Sequence, residues 1–318
     1  MYVVWAVMLL SLFAVSIGSQ ALFAVNLTER LSDQLRAASL ARGAVHYAFV
    51  GLQADDSRTV DGLMDVWADN AGLFQSHALP DGRFQVVVRD GTAQPLRYGL
   101  TDEDRRINLN TAPAEVLQRV CQLVGLSEED AISVAASIED WRDQDDHERS
   151  GGAESLYYRS LSQGYDCKNG PFENLEELLL IRGVSPALYQ ALAPHLTTYG
   201  SGLLNLNTAG AVALQALGLT DAGVAGLMAF RAGEDNVEGT PDDRRLVSLA
   251  ALPDSELNAF VPVEDLARLA KLADGKFLGV GSAEFRAEIE AESLQAANQV
   301  HVSCVLDRKG HVSLWSER

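Results

Sequence analysis

The sequence predicts an α+β fold: a long N-terminal helix packed on an antiparallel sheet, with a large all-α segment inserted in the middle of the chain. Three observations carry that expectation. An apolar run opens the chain and passes without a stop signal into an amphipathic one. Strand-forming segments lie on both sides of a long helical middle. That middle holds a duplication, Ile107–Leu117 (INLNTAPAEVL) and Leu204–Leu214 (LNLNTAGAVAL), identical at 7 of 11 positions. Self-similarity of this kind is stronger evidence of architecture than any single motif.

The apolar run comes first. Met1–Thr28 carries no charged side chain, and Tyr2–Val25 is mostly Val, Leu, Ala, Phe, Met and Trp. About 20 apolar residues cross the hydrocarbon core as a helix, so residues 1–28 are expected to span a membrane. A cleaved secretory signal would show a basic segment ahead of the run and a short apolar region closed by an A-x-A site. Neither is present, and a helix that starts at Met1 reads as one whose charged leader has been removed. Beyond Thr28, Leu27, Leu31, Leu35, Ala38, Val45 and Phe49 recur at helical spacing between Glu29, Arg30, Asp33, Arg36 and Arg42. One helix from residue 2 to about 53 is expected, half in lipid and half packed on a domain.

Residues 29–106 and 282–318 are expected to form the sheet module. Thr59–Asn70 reads as helical. Phe84–Arg89 reads as a strand ending at the turn signal Asp90-Gly91. In Glu284–Glu292, Phe285, Ala287, Ile289 and Ala291 alternate onto one face. Val300–Leu306 and His311–Trp315 flank Asp307-Arg308-Lys309-Gly310, a hairpin turn by composition.

Residues 107–281 are expected to be the inserted subdomain, helix-hairpin-helix (SAM-like) in character. In each repeat Asn110 or Thr111, and Asn207 or Thr208, are candidate caps for the following helix, with Pro113 in its first turn. Gly125 and Gly218 then end the first helix, and Ser127 and Thr220 cap a second. Asn174–Val184 begins a further hairpin of the same kind.

The formal net charge is −19 and the sequence pI about 4.6. So acidic a surface repels phosphate backbones and suits divalent cations or a basic partner. A DNA-binding reading of the turn Arg182-Gly183-Val184 therefore lacks the clustered Lys and Arg it needs. No nucleophile elbow, phosphate loop or histidine cluster points to an enzyme. The cysteines Cys121, Cys167 and Cys304 form no zinc pattern. Cys121 and Cys167 are a candidate disulfide in an oxidising compartment; three unpaired buried thiols are the alternative. Two acidic loops occupy matching places in the repeats and offer hard oxygen ligands of the kind calcium takes. The first supplies Asp140, Asp143, Asp145, Asp146 and Glu154. The second supplies Glu234, Asp235, Val237, Thr240, Asp242 and Asp243. Neither follows EF-hand spacing, and a solvated charged loop is the alternative. One or two calcium ions are expected.

These features together resemble the K-type minor pseudopilins of bacterial type II secretion. The resemblance rests on the apolar helix, the paired NLNTA segments, Glu139-Asp140-Trp141-Arg142-Asp143 and Gly151-Gly152-Ala153-Glu154 with Tyr157-Tyr158. Glu177–Gly183 and Gly239–Asp243 add to it. It implies a pilin-like fold, a single-pass anchor in the inner membrane with the soluble part in the periplasm, calcium in the insertion, and no enzymatic activity. It also implies assembly at the pseudopilus tip with the I-type and J-type minor pseudopilins, other pseudopilins and the inner-membrane assembly platform. Pilin-like subunits carry a glutamate at mature position five that pairs with the amine of the subunit above. With Met1 as the mature terminus that position is Trp5, as expected of a subunit with no neighbour above it. The second loop departs from the family pattern at Glu234 and Asn236. A membrane-anchored helix-hairpin-helix DNA receptor of a competence-like system is the alternative function.

Overall fold

The apolar run and its continuation form one unbroken helix, α1 (Tyr2–Gln53), in the computed structural model of the protein, which describes residues 1–89, 96–250, 252, 256–294 and 299–317. Residues 2–31 of it are exposed on every side. It contains an 18-residue window of mean hydropathy 2.0, making it long and apolar enough to cross a membrane. The packed half corrects the expected stripe. Leu27, Leu31 and Leu35 are exposed, while Ala37, Ala41, Ala44 and Ala48 are fully buried beside Leu40 and Leu52. Small side chains let the helix axis approach the sheet closely, so the packed face is built mainly of alanines, with Leu40 and Leu52 among them.

After α1 the segment expected to be helical, Thr59–Asn70, is a succession of turns instead. The Gly62 amide donates to Asp65 Oδ2 at 2.8 Å, and the Asp65 amide donates to the Gly62 carbonyl at 3.2 Å. Side-chain carboxylates that capture local amides offer the backbone an alternative to the helix. The turns seat Trp67, 1 % exposed, edge-on to Phe285 with ring centroids 4.9 Å apart. A short helix α2 (Ala71–Phe74) leads into β1 (His77–Leu79) and β2 (Gly82–Val87). The turn expected at Asp90-Gly91 lies outside the described residues.

The sheet is antiparallel throughout. β3 (Thr101–Asp102), β8 (Glu284–Ser293), β9 (Gln299–Asp307) and β10 (Val312–Glu317) join β1 and β2 in the order β1-β2-β8-β9-β10, with β3 also on β8. The alternation read from Glu284–Glu292 is present: Phe285, Ala287, Ile289 and Ala291 all face the core. β9 and β10 are joined at Asp307–Gly310, where the Gly310 amide donates to the Asp307 carbonyl at 3.1 Å. The alanines of α1, the inner face of β2, β8 and β9, Trp67 and Leu100 make one hydrophobic core.

A second core runs from Ile107 to Leu278 and is helical. Each repeat has the same plan. A two-residue strand, β4 (Ile107–Asn108) or β6 (Leu204–Asn205), pairs in parallel with a closing strand, β5 (Leu196–Thr197) or β7 (Leu278–Gly279). Between them lie helix pairs: α3 (Ala114–Leu123) and α4 (Glu128–Arg142), then α7 (Ala211–Ala216) and α8 (Asp221–Arg231). The turns follow expectation. Gly125 adopts φ +103°, its amide donates to Gln122 and that of Leu126 to Cys121, which closes the helix end in a Schellman arrangement. Ser127 and Thr220 cap the second helices through the amides of Asp130 and Gly223. Each repeat later adds a further helix, α6 (Pro186–Leu192) or α9 (Val263–Asp274). The hairpin expected at Asn174–Val184 starts with a 3-10 helix, Leu175–Leu180, closed by a capping box between Asn174 and Glu177.

The NLNTA segments act differently from the capping role expected of them. The helix caps are Pro113 and Gly210, and neither makes a side-chain cap. The asparagines bind distant backbone instead. Asn110 accepts from the Phe172 amide at 2.7 Å and donates to its carbonyl at 3.0 Å. Asn207 does the same to Leu246, at 2.7 and 2.9 Å. Each amide side chain fits one residue of a passing loop as a strand neighbour would. The arginine that ends the second helix of each repeat completes the motif. Arg142 donates to the carbonyls of Leu109 and Ala112, and Arg231 to those of Leu206 and Ala209. These are equivalent positions in the two copies.

Candidate metal centre

α4 places Asp140 in its last turn, on the face turned inward, so the carboxylate is fully buried. The chain leaves the helix at Asp143, loops outward and returns through Gly151 and Gly152. Gly152 is required by close approach: a Cβ there would meet Asp140 Oδ2 at 2.0 Å. The return delivers Glu154, 2 % exposed, at the start of α5 (Ser155–Arg159). Oxygens of Asp140, Asp143 and Glu154 then lie within 4.8 Å of one another.

Like charges this close in a largely buried site repel, and two of the three carboxylates are held by one arginine. Arg149 bonds Asp140 through Nη1 at 2.9 Å, contacts Asp143 through the same nitrogen, and reaches Glu139 through Nε at 3.3 Å. Its backbone amide also donates to Asp140, at 3.2–3.3 Å. Glu154 receives nothing: both its carboxylate oxygens are buried without a hydrogen-bond partner. Burial, with Asp140, Asp143 and Asp146 nearby, pushes its carboxyl up to about 7. Buried carboxylates are normally hydrogen-bonded, paired or metal-bound, so two orphaned oxygens beside two further carboxylates fit a hard divalent cation. Asp140, Asp143 and Glu154 would hold it, and it would supply the positive charge that the third carboxylate lacks.

Of the other expected ligands in this loop, Asp146 lies beside Glu154 at the exposed edge of the trio, and Asp145 accepts from the loop backbone. Asp145 is exposed and accepts from the His147 amide at 2.9 Å; Asp146 is exposed and accepts from the Ser155 amide at 3.3 Å. In the second loop the carboxylates fold the loop itself. Asp242 accepts from the amides of Glu234 and Asp235, and Asp235 from that of Val237. Asp243 accepts from the Gly239 amide, and Thr240 donates to Asp242. Among the described residues this loop forms no gathering of three carboxylates as tight as that around Asp140.

Met1 and Trp5 stand on the exposed apolar part of α1. The candidate disulfide is corrected: Cys121, Cys167 and Cys304 are all unpaired and buried. The Cys167 thiol is directed at the Asp140 carbonyl, 3.6 Å away, and burial pushes the thiols of Cys121 and Cys167 up to about 12, as befits unreactive core groups.

Two carboxylate groupings escaped the sequence reading. Asp55, Asp61 and Asp65 converge, but Arg308 bonds Asp55 at 2.8 Å and also Asp61, while Arg245 bonds Asp65 at 2.8 Å. At the join of the two cores, Asp102, Glu103 and Asp104 are buried side by side. Asp102 accepts from Asn205 at 3.1 Å and from Thr208; Asp104 accepts from Ser201 and from the Ala283 amide at 2.7 Å. Burial would raise Glu103, but Arg106 and Arg286 bring its carboxyl below the ordinary range. The signal was present as Thr-Asp-Glu-Asp-Arg-Arg, a run that reads as solvated surface.

Comparison with known proteins agrees with this architecture. Residues 97–201, which contain the first NLNTA segment and the carboxylate trio, match the family described as type II secretion system, protein K. Type II secretion system protein K of Klebsiella pneumoniae is 30% identical over 181 residues, covering 55% of this chain and 54% of that protein. The Aeromonas hydrophila protein K is 29% identical over 165 residues, 48% of each. The chain thus spans about half the length of the curated relatives it matches. In fold it is similar to a chain in the crystal structure of the GspK-GspI-GspJ complex from the type 2 secretion system of enterotoxigenic Escherichia coli. That match has a TM-score of 0.65 at 18% identity, and covers 92% of this chain and 98% of that one. Residues 97–201 therefore match the type II secretion system protein K family, and the chain is similar to protein K in sequence over about half its length and in fold over most of it.

Proposed function

We propose that this protein is a non-enzymatic minor pseudopilin of type II secretion. In this reading α1 anchors it in the inner membrane, the two cores stand in the periplasm, and the protein joins I-type and J-type minor pseudopilins at the tip of the pseudopilus, where it helps start assembly. The observation that carries the reading is the joining, in one chain, of a segment matching the protein K family to a helix long and apolar enough to cross a membrane. The similar chain of known structure was found in complex with GspI and GspJ, which supports the choice of partners. The tip position is argued from bulk. The helical core, Ile107 to Leu278, outweighs the sheet that a pilin-like helix normally carries, and such a mass has room at the end of a packed filament but not within it. Calcium at Asp140, Asp143 and Glu154 belongs to the same reading.

The test is co-expression of the full chain with the I-type and J-type pseudopilins of the same secretion system, followed by purification in detergent. A stable three-subunit complex is expected. Recovery of the folded chain without either partner would sink the assignment.

A further inference from the structure

Arg149 occupies the place where a cation is called for, yet it leaves the site incomplete. It neutralises Asp140 and Asp143, while Glu154 keeps both oxygens buried and unpartnered. Its side chain is 43% exposed, and it rises from the loop between α4 and α5, with no helix fixing its backbone. Among the described residues its guanidinium is paired with carboxylates, those of Glu139, Asp140 and Asp143. A guanidinium carries one positive charge on a long stem, whereas a hard divalent ion carries two and accepts several carboxylate oxygens at once.

We propose that Arg149 is a built-in competitor for the cation: it holds Asp140 and Asp143 together in the metal-free protein and swings into solvent when a divalent ion binds. The inference rests on the reading of Asp140, Asp143 and Glu154 as a cation site, and it assigns that site a regulator. Arg149 keeps the metal-free loop folded and, by the same contacts, weakens metal binding. A ligand that must displace an internal partner binds less tightly by the stability of that partnership. The site then fills over a higher range of ion concentration than its carboxylates alone would set.

The experiment is calcium titration of the full chain in detergent micelles by calorimetry, for the wild type, R149Q and R149K, each also melted in chelator and in saturating calcium. R149Q is expected to bind calcium about tenfold more tightly than the wild type. Without calcium it melts at a lower temperature, and in saturating calcium the two melting points converge. R149K, which keeps a point charge but loses the planar fork, falls between them and serves if R149Q does not fold. Equal or weaker calcium binding by R149Q, or by R149K where only that variant folds, overturns the inference while leaving the cation site standing. Absence of calcium binding by the wild type and both variants overturns the site and the inference together.

Discussion

At Glu154 two carboxylate oxygens are buried without a hydrogen-bond partner, with only the weakly donating Cys167 thiol beside them. Glu154→Gln should therefore raise the melting temperature in chelator, because leaving a buried polar group unpaired costs about 1–3 kcal/mol and a charged one more. The same variant should lose the calcium-dependent rise in melting temperature. A thermal scan with and without calcium reads both, and a calcium response equal to wild type would remove Glu154 from the ligand set. Arg231 and Arg142 make a second pair of expectations. Replacing either by alanine strands two backbone carbonyls, at a cost of roughly 2–4 kcal/mol. Arg231 should cost more, because its side chain is 4% exposed against 15% for Arg142; urea denaturation of each variant measures the difference. At this scale the sequence was legible in part. Asp140 and Glu154 stood out as acids in a repeated loop. Which of Asp143, Asp145 and Asp146 turns inward was not legible, because that depends on where α4 ends. Arg149 carries no sequence pattern that marks it out.

Among the elements, α1 shows what patterning can and cannot say. Its extent was plain from the missing stop signal. Its packed face was not, because leucine outranks alanine as a sign of burial until the closeness of the sheet is known. Ala44→Leu should overpack that face at a cost of roughly 1–3 kcal/mol. Calcium affinity should stay unchanged, since the carboxylate trio belongs to the other core. Paired denaturation and calcium titrations check this, and an altered affinity would show the two cores to be coupled. The strand Glu284–Ser293 was legible because a period of two with one buried face has no helical rival. The NLNTA segments were recognised as a repeat but misread locally. Asparagine and threonine before a helix fit a cap, and only the arrival of Phe172 and Leu246 from elsewhere in the chain shows what they bind.

For the molecule as a whole, the join between the cores sets the response to pH. Burial, together with the neighbouring Asp102, pushes the Asp104 carboxyl from 3.8 up to about 7. A carboxyl raised in the folded state stabilises the fold when protonated. That contribution is full below the ordinary value and is lost as pH climbs towards 7. The melting temperature in chelator should therefore fall between about pH 4 and pH 7, and Asp104→Asn should flatten the slope. Asp61 and Glu154, also raised to about 7, should leave a residue of it. An unchanged slope in the variant would mean that Asp104 is ionised throughout. The sequence could foresee two bodies in one chain but not the buried acids that join them, since burial there comes from both cores closing on one short run. The same join has a topological side. Asp102 on β3 lies directly opposite Phe285 on β8, so the chain departs for the helical core and comes back at paired rungs of one ladder. A tight turn would suffice to connect those rungs. A whole helical body can thus stand between two rungs of the ladder without displacing any strand of the sheet.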